Sequence, residues 1–92
     1  MQVAVEFFGV PRRLAKVAQT TLEVADGSDL RALLCSVVAR FPALSPSVIA
    51  ADASALLEPY MLSIDGRHTP DGLGYRLRDG ERVLIMSSLV GG

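Results

Sequence analysis

The chain has 92 residues, half of them apolar, with ten carboxylates against nine Lys and Arg and a net charge of −1. That is enough apolar material for one domain that buries about 60–65% of its unfolded surface without a metal or staples, and it argues against disorder. The arginines are scattered, so nucleic acid is not an expected partner. No stretch reaches the roughly 20 apolar residues of a membrane span, the N-terminus has no basic leader and Glu6 interrupts the first apolar run, so a cytoplasmic protein without a signal peptide is expected.

In chain order, Val3, Val5 and Phe7 alternate with Ala4, Glu6 and Phe8, the period of a half-buried strand. Gly9, Pro11 and Arg12-Arg13 read as a loop, and Thr20 to Val24, rich in β-branched residues, as a second strand that completes a hairpin. Asp26-Gly27-Ser28 supplies a turn and the N-cap of a helix, with Asp29 placed to complement the helix dipole. Leu30, Leu33, Leu34, Val37, Val38 and Phe41 then form one apolar stripe that Pro42 ends. Between Ser45 and Glu58 the pattern leaves room for a short helix without fixed ends. Tyr60 to Ile64 is a strand closed by the Asp65-Gly66 turn, and Arg78-Asp79-Gly80 is a turn leading into the last strand, Arg82 to Met86. This order implies an α+β fold, one main helix laid on a mixed sheet of four to five strands.

The side chains offer little chemistry of their own. Cys35 and His68 are the only residues of their kinds, which excludes an intrachain disulfide, a four-cysteine cluster and a Ser/His/Asp triad with spare parts. Cys35 falls in the helix, where a buried or half-buried thiol is expected, and His68 reads as a surface loop residue. The end of the sequence, Val90-Gly91-Gly92, fits two readings on its own. It is a thread whose bare backbone enters a narrow active site and presents the Gly92 carboxylate, or it is a frayed terminus.

Val5-Glu6-Phe7-Phe8, the helix ending Phe41-Pro42, Ile64-Asp65-Gly66, and Leu77-Arg78-Asp79-Gly80-Glu81-Arg82-Val83 followed by Gly91-Gly92 together resemble the MoaD/ThiS family. These are ubiquitin-like β-grasp sulfur carriers, typified by the small subunit of molybdopterin synthase. The resemblance covers essentially the whole chain and is weakest over Ser45 to Glu58. It implies a β-grasp domain over 1–88 and a flexible diglycine tail over 89–92.

It also implies the chemistry. An activating enzyme uses ATP and Mg²⁺ to adenylate the Gly92 carboxylate, a persulfide donor displaces AMP, and the resulting thiocarboxylate delivers sulfur, most directly in molybdenum cofactor synthesis. Gly91, Val90 and Leu89 would thread the partner, and the catalytic groups would be the partner's. No cofactor or metal is expected on this chain. If Val3, Val5, Phe7, Val83 and Ile85 face the helix, then Phe8, Leu84 and Met86 share the opposite face, which the β-grasp arrangement makes contiguous. The resemblance matches Phe8 and Met86 to hydrophobic partner contacts, Arg12 to a basic contact near the tail and His68 to another contact position. The synthase large subunit is a further expected partner.

Two departures limit the pathway assignment, the first being that the chain is longer than the shortest family members through Ser45 to Glu58. The second is that Ser87-Ser88 stands where molybdopterin synthase small subunits often carry Pro-Pro, and neither serine fixes φ. Related carriers serve thiamine, cysteine and tRNA thiolation with the same tail. A ubiquitin-like modifier joined through Gly92 to lysines, and a plain interaction domain, also stay open. Lys16 is the only lysine, so chains of the protein on itself could grow from that side chain alone.

Overall fold

The computed structural model describes residues 1–88. Four strands form one sheet: β1 Gln2–Phe7, β2 Gln19–Glu23, β3 Tyr60–Ile64 and β4 Arg82–Ser87. Their order is β2-β1-β4-β3. The β1/β4 pair is parallel and the two outer pairs are antiparallel, so the sheet is mixed as expected. The main helix, α2, runs Leu30–Arg40. It lies on one face because Leu30, Leu33, Leu34 and Val37 recur at helical spacing and are completely buried. Burial of each such side chain contributes about 1.5–3 kcal/mol. Opposite them the strands alternate strictly, with Val3, Val5, Phe7, Val83 and Ile85 turned into the same core. The expected inside and outside of β1 and β4 is therefore observed.

Four local expectations need correction. Gly9 to Arg13 is not a loop. A two-turn helix, α1 Val10–Ala15, joins β1 to β2, with Pro11 in its first turn and Lys16 as its left-handed C-cap at φ 64°. Proline is tolerated in a first turn because the missing N–H would have no helical acceptor there. Its buried Pro11 and Ala15 are four residues apart, a stripe too short to announce itself. Second, the N-cap of α2 is Asp29 itself, whose carboxylate accepts the Ala32 N–H at 2.9 Å.

Third, Ser45 to Glu58 holds no helix. A single 3₁₀ turn, Pro42–Leu44, precedes it. The segment is then tied by backbone bonds from Ala50 N to Ala55 O and from Leu57 N to Val48 O, at 3.0 and 2.9 Å. Val48 and Ile49 are fully buried, so core packing rather than helical periodicity orders it. Fourth, Cys35 is exposed, because it falls on the outer side of α2 beside the buried Leu34.

The two ends of the sheet differ in character. At one end the chain enters β1 and leaves β3. There the Met1 ammonium donates to Val24 O at 2.8 Å and pairs with Asp26 at 3.2 Å and Glu23 at 3.6 Å. The Asp65-Gly66 turn sits at the same end with both residues at positive φ, 54° and 70°. Asp65 N donates to Arg82 O at 2.8 Å, extending the β3/β4 ladder by one pair. At the other end Ser88 N donates to Pro59 O at 2.7 Å, and this is where the chain leaves the described fold.

Candidate functional site

Because β1 and β4 are parallel and registered Phe7 to Ile85, the residues next to them, Phe8 and Met86, stand side by side. The Phe8 N–H donates to Ile85 O at 3.1 Å, which fixes that neighbourhood. Met86 is in turn registered with Met61 of β3. Phe8, Met86 and Met61 thus form one apolar row across three strands on the face away from α2. The row beneath it carries Glu6, Leu84 and Ser63. Phe8 is 40% exposed, while Leu84, Met86 and Met61 are half-buried. An open sheet face is ordinarily polar, so this apolar row departs from the usual pattern. An ion pair between Arg82 and Glu6 at 3.1 Å closes it on the far side.

The row borders the exit of the chain. Ser88 follows Met86 by two residues and its backbone is held to Pro59, so an apolar step leads directly to the tail. Leu89, Val90, Gly91 and Gly92 lie outside the described residues.

Arg12 is exposed on α1. That helix starts two residues beyond Phe8 and packs against both β1 and β4, which places Arg12 beside the same end of the sheet. His68 is not brought to the row. It forms an isolated bridge with Ile64, at the opposite end of β3 from Met61. Its ring lies edge-on to Tyr75 at 5.5 Å. The Tyr75 hydroxyl donates to Glu81 at 2.7 Å, and this bond, with burial adding to it, raises the phenol pKa above 10.0.

Sequence reading missed Met61. The strand itself was evident, and its alternation places Met61 opposite the buried Leu62, but only the β3/β4 register brings it to Met86. It also missed a shallow cleft of about 160 Å³ at the outer edge of β3, where Leu56, Tyr60, Met61, Leu62, Pro70 and Leu73 meet. This cleft carries the apolar surface around the edge of the sheet. Among the described residues no group of three His, Cys, Asp or Glu is placed to hold a metal ion, and no helix is long and apolar enough to cross a membrane.

Parallel first and last strands, flanked by an antiparallel strand on each side and crossed by one helix, define the ubiquitin-like β-grasp. The structure superposes on SAMP1 from Haloferax volcanii with a TM-score of 0.85 at 18% identity, covering all of both chains. It also superposes on a chain in the complex of subunits 1 and 2 of the molybdopterin-converting factor from Helicobacter pylori, with a TM-score of 0.65 at 22% identity over the whole of both.

The sequence matches the ThiS family model over residues 5–92. It is 34% identical over 92 residues, the full length of both chains, to the molybdopterin synthase sulfur carrier subunit of Chlamydomonas reinhardtii. The chain belongs to the ThiS family.

Proposed function

We propose that this protein is a sulfur carrier that works through its Gly92 carboxylate and supplies sulfur to molybdopterin synthesis as the small subunit of a synthase. The observation that carries the reading is the end-to-end match to a molybdopterin synthase sulfur carrier subunit. The family match also reaches residue 92, the position that would do the chemistry. A carboxylate is a poor electrophile at neutral pH. In the first step its oxygen attacks the α-phosphorus of ATP, pyrophosphate leaves, and the acyl-adenylate now carries a good leaving group.

The outer sulfur of a persulfide then attacks the Gly92 carbonyl carbon and AMP departs. A second thiol cleaves the S–S bond and is oxidised to a disulfide, which leaves the thiocarboxylate. Its sulfur is ionised and nucleophilic, ready for an acceptor. None of these steps needs an acid or base from this chain. The activating enzyme and the synthase large subunit would each seat on Phe8, Met86 and Leu84, with Arg12 at the rim, and receive the tail.

Intact mass after incubation with ATP, Mg²⁺, the activating enzyme from the same source and a persulfide donor tests the proposal. The expected product carries one sulfur in place of one oxygen at Gly92 and is alkylated even in Cys35→Ser. Amide linkage to lysines of other proteins, with no sulfur exchange, would replace the carrier by a protein modifier.

A further inference from the structure

We propose that the end of the molecule from which the tail leaves is a cationic collar, which steers it onto a partner whose tail-receiving channel is rimmed by carboxylates. This rests on the carrier reading and adds the chemistry of the surface that must meet it. The whole chain is slightly acidic, with a net charge of −1, so the collar is a matter of segregation.

Parallel pairing brings the ends of β1 and β4 together, and α1, which follows β1, packs against both strands. Its Arg12, Arg13 and Lys16 are all exposed. Arg40, in the last turn of α2, stands over the Phe41 ring with its guanidinium carbon 5.9 Å from the ring centroid. Phe41 meets Phe7 edge-on at 5.3 Å, and Phe7 is the register partner of Ile85. Four cations therefore gather at the end where Ser88 leaves, with Glu58, next to Pro59, and Glu6, paired with Arg82, as the acidic neighbours.

The use of the charges separates the two ends further. At the far end five carboxylates are occupied by the fold. Glu23 and Asp26 hold the Met1 ammonium, Asp65 accepts from Arg82 N, Asp79 from Gln2 N, and Glu81 from Arg78 N and the Tyr75 hydroxyl. Among the described residues Arg12, Arg13 and Lys16 form no ion pair at all. Cations that the fold does not use are available to a partner. Exposed rim charges act mainly on the association rate and its salt dependence, while buried contacts set dissociation. Like charges grouped at one end raise that rate by about 10–1,000-fold towards an oppositely charged site.

Stopped-flow association with the activating enzyme from the same source tests the collar. Arg13→Glu combined with Arg40→Glu should slow association about tenfold at low salt and leave dissociation nearly unchanged. The difference should vanish near 1 M salt, where screening acts within about 3 Å. Arg67→Glu, at the opposite end, should associate like the parent. The milder pair Arg13→Gln and Arg40→Gln, checked for parental urea stability, should show a smaller slowing in the same direction.

Parental association by both double variants would overturn the collar while sulfur exchange at Gly92 stands, and failure of the parent chain to associate at all would overturn both readings. Salt-sensitive self-association of the parent in sedimentation would assign the collar to a second copy's acidic end instead.

Discussion

Asp29 satisfies one of the N–H groups that a helix start leaves without a partner. Asp29→Ala should lower stability by about 1 kcal/mol, read as a shift of the urea midpoint at constant slope. The Met1 ammonium sets a pH dependence. Its pKa is raised above 8.0, chiefly by the hydrogen bond to Asp26 with Glu23 contributing. A pKa raised by folding stabilises fully below the unfolded value and is lost as pH rises through the folded one. Tyr75, held protonated by Glu81, adds the same sign at higher pH. The urea midpoint should therefore start to fall as pH rises past about 8 and fall again above about pH 10, and Asp26→Asn should flatten the earlier of the two falls. On the open face, Phe8→Asp or Met86→Asp should weaken activating-enzyme binding by about 2 kcal/mol or more at a hot spot, with little loss of stability. A folded variant activated at the parental rate would remove that residue from the interface.

At the level of elements, α2 is the keel of the core. Leu34→Ala, at a fully buried position, should cost about 2–5 kcal/mol in urea unfolding, because the deleted atoms leave a cavity that the sheet only partly fills. The strands and α2 were legible in the sequence because one face of each is buried, which imposes period two on Val3, Val5 and Phe7 and helical spacing on Leu30 to Val37. What was not legible depends on partners distant in sequence. The first turn of α1 reads as loop residues until packing against β1 and β4 is known. Val48 and Ile49 look like helix positions but are buried from an irregular segment. Of the site, Phe8, Leu84 and Met86 could be placed from alternation alone, whereas Met61 needed the pairing of β3 with β4. His68 matched a contact position by resemblance and lies at the other end of β3.

For the molecule as a whole, every buried core residue among the described ones lies between Val3 and Ile85. On the carrier reading, deleting Gly91-Gly92 should leave the Tm of the chain unchanged and abolish sulfur exchange, while a single residue added after Gly92 should preserve folding and block activation by displacing the carboxylate. A large fall in Tm on deletion would show that the tail is structural. The strand that feeds the tail sits in the interior of the sheet, parallel to β1 and antiparallel to β3. A pull on the tail along the axis of β4 loads the bonds on both of its sides together, as a shear joint, rather than opening them in turn as a zipper. Forced unfolding is governed by the barrier to leaving the native state, and in this geometry the bonds share the load and break together. On the carrier reading, a partner that drew the tail taut would leave the domain that carries it intact.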